Sequence, residues 1–307
     1  MTKQQHIEIE LSAVIVLVTD GSPRIVLART KAGPALPSGP LQTEHKKLEQ
    51  ALRGWVSTET GLSLGYVEQL YTFADKDRDA SGRRVISIGY VALTRDQDVR
   101  GGHDIEPMDW YSFFPWEDHR NGTPDKILSV IRARLNTWKN AAPDRGSKAA
   151  RQARIEITFP TNPKAWNEEL VLQRYELLWE AGLIEEAVRA GKQGAAAIAA
   201  GQAMTFDHRR ILATAIARLR AKIKYRPVVF ELMPPTFTLL QLQQTVEALA
   251  GLRLHKQNFR RLILSQGLVE ETQKSLTPAK GRPAQLFAFR REILRERAIA
   301  GTKLPRG

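Results

Sequence analysis

An α+β chain in parts is what this sequence predicts: strands and one helix first, then helices, then two helices joined by a tight turn and followed by a strand pair. Three observations carry the prediction. Short runs of β-branched and aliphatic residues fill the stretch up to Leu93. From Ile127 onward apolar residues recur at helical spacing. The excess positive charge lies wholly after residue 208.

Ile7 to Val18 is strand-like and runs into Asp20-Gly21-Ser22-Pro23, after which Arg24 to Ala28 is strand-like again, which is a hairpin signal. Past Leu36-Pro37-Ser38-Gly39-Pro40, a helix is expected over Leu48 to Thr58, ended by Gly61. Strands follow at Gly65 to Phe73 and Arg84 to Leu93, around the polar turn Asp75 to Gly82, and this part is expected to end near Pro115. From Pro124 the pattern turns helical, with Ile127, Ile131 and Leu135 on one face. Asn140 to Arg154 reads as a linker, and Asn167 to Gly182 as a helix with Leu170, Tyr175, Leu178 and Trp179 apolar. Gly191 to Gly201 is rich in alanine and carries little information.

Asp207 reads as the N-cap of a further helix, with His208 in its first turn and Leu212, Ile216, Leu219 and Ile223 on its apolar face, ended by Pro227. Thr238 to Ala250 and His255 to Ser265 read as two helices about the turn Gly251 to Leu254. Strands at Leu268 to Glu271 and Gln285 to Phe289 bracket a loop with Gly281-Arg282-Pro283. The expected divisions are residues 1–120, 121–205 and 206–300, without an internal repeat.

With 307 residues the chain can bury two cores. It has no cysteine, which excludes disulfides, thiolate metal sites and cysteine nucleophiles. No apolar run approaches the roughly 20 residues of a membrane span, and Met1 to Glu10 is polar; a cytoplasmic, bacterial-type protein with no membrane partner is expected. The net charge is +13. From Arg209 onward there are 20 Lys and Arg against 6 Asp and Glu, a balance of +14, which leaves 26 against 27 before it. A polyanion such as DNA is the natural partner, because each neutralised phosphate releases counterions. A solvated basic face or an acidic membrane surface is the alternative.

Leu36-Pro37-Ser38-Gly39 and Ala51 to Leu62 together resemble a Nudix box, the family pattern G-x5-E-x7-R-E-U-x-E-E-x-G-U, in which carboxylates on a helix hold divalent cations against a diphosphate. Aligned on Gly61-Leu62, the Arg-Glu positions fall on Gly54 and Trp55, the Glu-Glu positions on Thr58 and Glu59, and the upstream Glu position on Lys46. Only Glu59 survives. Divalent cations need several oxygen ligands, so no metal site, no catalytic residue and no hydrolase activity is expected here. The degenerate site is either a ligand sensor or a structural relic. Arg24, Arg29, Arg53, Arg78, Arg83 and Arg84 are basic groups that could meet phosphates, and Tyr71 or Phe73 could stack on a base. Any single one reads more readily as a solvated surface residue than as a ligand contact.

The last third is more specific. Phe206-Asp207-His208-Arg209-Arg210-Ile211-Leu212, Tyr225 to Pro234, Phe237-Thr238-Leu239, Asn258-Phe259-Arg260-Arg261 and Gly281 to Ala284 occur in order, after Glu68 to Phe73 and Asp77-Arg78-Asp79. This ordered set resembles the Nudix-related transcriptional regulators of NAD metabolism, the NrtR/NadQ type, and the insertion between the halves resembles the NadQ branch. The resemblance implies an α+β chain: an N-terminal Nudix-like α/β/α sandwich with a degenerate Nudix box, a helical insertion, and a C-terminal winged helix-turn-helix. It also implies a homodimeric repressor of NAD biosynthesis genes that binds double-stranded operator DNA. The effector would be NAD, ADP-ribose or ATP, with no cofactor required.

A helix-turn-helix sets the start of its second helix in the major groove. Here that is His255-Lys256-Gln257-Asn258, continuing to Arg260 and Arg261, residue types that suit adenine, guanine and phosphate. Thr238 at the start of the first helix, and Lys280 and Arg282 in the wing, complete the expected DNA contacts. Phe259, Leu262 and Ile263 would be the buried side. Arg209, Arg210, Arg218, Lys222 and Lys224 touch phosphate or coat the outer face of their helix. The rival readings are a Nudix hydrolase using Glu68, Asp75, Asp77 and Asp79, and an RNA-binding adaptor, which lacks the expected aromatic platform.

Overall fold

The computed structural model describes residues 7–75, 84–95, 105–192, 201–276 and 283–292, with Arg29 as backbone only. β1 (Ile7–Thr19) turns into β2 (Ser22–Thr30) through Asp20 and Gly21, both at positive φ, so that Thr19 faces Ser22 across a two-residue loop. β3 (Gly33–Ala35) and β4 (Ser38–Pro40) follow, then α1 (Leu48–Thr60), β5 (Val67–Phe73), β6 (Arg84–Leu93) and β7 (Ile105–Asp109). Among the described residues the strands form one mixed sheet in the order β3-β2-β1-β6-β5, with β4 on β1 and β7 on β2. β1 and β6 run parallel over ten pairs, from Ile7 with Arg84 to Val16 with Leu93.

Side chains alternate across a strand, so β1 feeds two cores. Leu11, Ala13, Ile15 and Leu17 meet Ala51, Leu52 and Val56 of α1. Val14 and Val16 point to the other face, where Ile211, Leu212, Ala215, Ile216 and Leu219 cover the sheet. These belong to α6 (His208–Ile223). The sandwich is therefore closed by a helix more than a hundred residues past β6, and α6 packs on β1, β5 and β6 as well as on the helix Leu239–Ala250.

Between the sheet and α6 the chain forms a 3₁₀ turn at Trp110–Ser112, another at Pro115–Glu117, then α2 (Asp125–Asn140), α3 (Arg145–Thr158), α4 (Val171–Glu180) and α5 (Glu185–Arg189). Leu128, Ile131 and Leu135 are the buried residues of α2, and Ile127 only packs against the core. The expected linker from Asn140 to Arg154 is wrong beyond Asp144. There Asp144 caps α3 by accepting from the Ser147 N–H, and the helix needs only Ile155 and Thr158 buried, too sparse a stripe to show as periodicity. Before the expected end near Pro115, β7 adds an edge strand on β2, and Trp110, Phe113, Phe114 and Trp116 are buried in the same core as residues of α4 and α6.

The C-terminal unit is α7 (Leu239–Ala250), α8 (Lys256–Ser265), β8 (Val269–Leu276) and β9 (Ala284–Phe289). Thr238 and Gln241 form a reciprocal capping box at the start of α7. Phe237 bridges to Phe287 of β9 through paired backbone hydrogen bonds of 2.9 and 2.8 Å, and Phe230 stacks on Phe289 at 4.2 Å. These contacts join the strand pair to the base of the helices.

Candidate nucleic-acid interface and pocket

α8 is held by two buried residues one turn apart, Phe259 and Ile263. A helix so seated turns its remaining sides to solvent, and His255, Lys256, Gln257, Asn258, Arg260 and Arg261 are all exposed. The structure brings these predicted DNA contacts together on one element. Asn258 Oδ1 lies 3.5 Å from Arg261 Nη2, at the limit of a hydrogen bond, so both side chains keep most of their polar capacity. Two expectations fail. Leu262 is 53% exposed rather than buried, because it lies on the side of α8 away from the core. Thr238 is buried, and its hydroxyl accepts the Gln241 N–H at 3.1 Å as a helix cap. Lys280 and Arg282 lie outside the described residues.

The seat of α7 is ionic. Glu117 is fully buried between Arg174 and Arg220, also fully buried, with Nε–Oε1 of 2.5 Å to Arg174 and Nη1–Oε2 of 2.7 Å to Arg220. Burial opposes ionisation of Glu117, but the two guanidinium groups outweigh it and hold the carboxyl below its usual range. Arg220 also donates to the Leu249 carbonyl at 3.0 Å, and Tyr111 Oη donates to the Ala248 carbonyl at 2.7 Å. The carbonyls that end α7, the negative pole of that helix, thus rest on a cation fixed in α6. The His119 N–H donates to the Gly251 carbonyl at 2.8 Å, and Arg253 reaches both Glu247 and the Arg120 carbonyl.

Gly251 sits at φ +73°, and a Cβ there would lie 2.8 Å from Arg220 Nη2 and 2.9 Å from Tyr111 Oη. Strain and crowding act together at this position. Gly251→Ala is expected to cost about 1–3 kcal/mol of stability, measured by urea unfolding; a loss too small to resolve would show that the junction yields.

Four of the five cations expected on the outside of α6 are paired with carboxylates. Arg209 is 1% exposed, pairs with Glu186 at 3.3 Å, donates to the Phe113 carbonyl, and lies against Phe114, Trp116 and Tyr175. Arg210 pairs with Glu176 at 2.5 Å and with Asp75. Lys222 pairs with Glu68 at 2.5 Å, and Lys224 with Glu168 and Glu169. Neither reading offered for Arg209 holds, and Arg218 is exposed. Of the four carboxylates of the hydrolase reading, Glu68 and Asp75 are thereby paired with cations, and Asp77 and Asp79 lie outside the described residues. Asp207 begins α6 without a capping bond from its side chain. His208 is buried, and its Nδ1 accepts the Leu36 N–H at 3.0 Å.

Beside α1 lies a cavity of about 460 Å³ lined by Pro40, Gln42, His45, Lys46, Lys47, Gln50, Gly54, Trp55, Thr58 and Glu59 among others. Five of these, Lys46, Gly54, Trp55, Thr58 and Glu59, are the box positions that carry Glu or Arg-Glu in the family pattern. Two lysines and a histidine now face one carboxylate, which suits an anion and repels a cation. No group of three or more His, Cys, Asp or Glu placed to hold a metal ion occurs among the described residues. Gly39, next to Pro40 of the lining, packs against the ring of Trp55, since a Cβ there would lie 2.8 Å from Trp55 Cδ1.

Of the expected ligand contacts whose side chains are described, only Glu59 lines this cavity. Arg53 is committed to Glu49 and to the Leu64 and Gly65 carbonyls. Arg24 donates to the Pro107 carbonyl within the sheet, and Arg84 starts β6 opposite Ile7. Phe73 is 3% exposed beneath Arg210 and cannot stack on a base, while Tyr71 is 64% exposed beside it. Arg78 and Arg83 lie outside the described residues, as does the side chain of Arg29. His45, Lys47 and Trp55 line the cavity without being among the ligand contacts expected from sequence: Trp55 enters the box alignment only as a lost carboxylate, and His45 and Lys47 fall at unspecified positions of the pattern, which carry no signal.

Residues 229–289 match the model of the NrtR DNA-binding winged helix domain. The ADPR responsive transcriptional repressor NtrR of Acinetobacter baylyi is 45% identical over 86 residues, 28% of this chain and 34% of that protein. The chain thus spans about a third of the length of this curated relative. NrtR of Shewanella oneidensis, solved in complex with a 27mer DNA, superposes with a TM-score of 0.56 at 20% identity, covering 92% of this chain and 93% of that one. A MutT/nudix family protein of Enterococcus faecalis gives the same TM-score at 14% identity, over 94% and 90% of the two chains. These two likenesses show the fold: a Nudix-like α+β domain with a C-terminal winged helix-turn-helix. No helix among the described residues is long and apolar enough to cross a membrane.

Proposed function

We propose, from the premise that the chain belongs with the NrtR-type regulators through its winged-helix domain at residues 229–289, that it is a transcriptional repressor of NAD biosynthesis genes whose Nudix-like domain binds a nucleotide and not a hydrolysable substrate. The observation that carries the reading is the exposed row His255, Lys256, Gln257, Asn258, Arg260 and Arg261 on α8 of that domain. Its donors and acceptors match base edges and phosphates.

The relative from A. baylyi is named for its response to ADPR, and the cavity beside α1 supports an effector of that chemistry. Lys46 and Lys47 supply charge for a diphosphate, and Trp55 supplies an aromatic surface. ADP-ribose is the first choice, with NAD and ATP as the alternatives. Loss of the box carboxylates to Lys46, Trp55 and Thr58 argues against hydrolysis, because one remaining Glu gives a divalent cation too few oxygens. A homodimer reading two half-sites completes the proposal, with residues 1–120 as sensor, 121–205 as insertion and 206–300 as reader.

The test is selection of duplexes from a randomised pool by the full chain, then anisotropy titration of the enriched duplex with and without ADP-ribose, NAD and ATP. Saturable, sequence-dependent binding that shifts with one nucleotide is expected. Failure to enrich any sequence at moderate salt would sink the DNA claim. Phosphate release from a nucleoside diphosphate derivative with magnesium or manganese would sink the non-catalytic one.

A further inference from the structure

We propose that His208 is a positioning residue, through which the cavity beside α1 sets the seat of the reading helices. This rests on the nucleotide-responsive reading above and names how that response is carried.

Leu36 is buried and opens the loop from β3 to β4. Gly39, in β4 just beyond that loop, lies under the ring of Trp55, which lines the cavity. Other ties of the loop run to the sheet: the Pro37 carbonyl accepts the Ala13 N–H at 2.9 Å, and Ser38 Oγ donates to Ser12 Oγ at 3.0 Å. The Leu36 N–H goes elsewhere. It donates to Nδ1 of His208, the first residue of α6, at 3.0 Å. Just before α6, the Thr205 N–H donates to the Pro34 carbonyl at 2.9 Å, so the same stretch of chain is held from both sides of Ala35.

Twelve residues on, about 18 Å along the helix axis, Arg220 holds the Leu249 carbonyl at the end of α7. One helix therefore touches the cavity loop at its first residue and the reader at Arg220. α6 is packed along its length between the sheet and α4. Close-packed elements shift as units and do not yield locally. A ligand that displaces Trp55 presses on Gly39, and the Leu36–His208 bond passes that displacement to α6. The ligand biases the reader only as far as it prefers one position of the loop over the other.

Three full-length variants test this. His208→Asn places an amide oxygen where Nδ1 was and keeps the acceptor. His208→Gln moves the acceptor one bond further out, and His208→Ala removes it. The ratio of DNA Kd with and without ADP-ribose is measured by anisotropy, and ADP-ribose affinity by calorimetry. His208→Gln and His208→Ala are expected to bind ADP-ribose while their Kd ratio falls to within about twofold of one, and His208→Asn is expected to keep the wild-type ratio. Hydrogen exchange of residues 248–253, with no nucleotide present, is expected to quicken in Gln and Ala and not in Asn.

An unchanged Kd ratio in His208→Gln, or unchanged exchange at residues 248–253, would overturn the proposal. If the wild-type protein ignores ADP-ribose, it is the effector assignment that fails, and the exchange measurement alone then decides the role of His208. Should His208→Ala fail to fold, the Asn and Gln pair carries the comparison.

Discussion

Glu117→Gln is expected to lower the stability of the whole chain by about 3–5 kcal/mol, the usual cost of breaking a buried ion pair by removing one partner. Glu117 serves two guanidinium groups at once, and neither Arg174 nor Arg220 has water to fall back on. An amide can donate or accept, but it cannot offset two buried positive charges. The other hydrogen-bond partners of these arginines are neutral carbonyls and the Tyr111 hydroxyl, and Arg174 also lies over the Trp166 ring. Urea unfolding followed by circular dichroism would measure the loss, and a loss below about 1 kcal/mol would mean that the pairs are balanced by groups not yet recognised.

The same site gives the chain an acid sensitivity of definite sign. The carboxyl of Glu117 is held below its unfolded value in the folded state, so its stabilisation is complete above the unfolded pKa and is lost as pH falls through the folded one. Unfolding free energy should decline on acidification below the normal glutamate range, and the decline should be shallower in Glu117→Gln. Equal slopes in the two proteins would remove Glu117 as the cause.

Asn258→Ala and Lys256→Ala should weaken DNA binding in two distinguishable ways. If Asn258 reads a base edge, its loss costs about 1–3 kcal/mol on the selected duplex and little on a duplex of mixed sequence. If Lys256 meets phosphate, its loss weakens both duplexes alike and lowers the slope of log K against log salt by about 0.9. Both side chains are exposed and separate from the buried pair Phe259 and Ile263, so neither substitution should change folding. Salt titration of each variant separates the roles. Wild-type affinity in both variants would detach α8 from recognition.

Much of the architecture was legible because local chemistry announced it. The hairpin at Asp20-Gly21, the helix stopped at Gly61, the strand Arg84–Leu93 and the capped helix from Thr238 each carry their own signal within a few residues. The insertion was less legible: α3 buries only Ile155 and Thr158, so its sequence is nearly as polar as a linker. The ionic junction had no local signal at all, since Glu117 meets partners 57 and 103 residues away. Charge was legible as a sum and misleading as a map. Six cations after residue 208 turn out to face acidic partners: Arg209, Arg210, Arg220, Lys222, Lys224 and Arg253. At the candidate pocket, composition showed which carboxylates were gone, but only the fold shows that Lys46, Lys47 and His45 surround the space they left.

The double attachment of α6 bears on whether this protein can be divided. A fragment beginning at Phe206 would carry a helix whose Leu212, Ile216 and Leu219 have lost the strands they cover, and one ending at Arg120 would leave those strands bare. Neither half is a self-sufficient cassette. Moving the C-terminal unit to another protein would require taking α6 with it and replacing the floor beneath that helix.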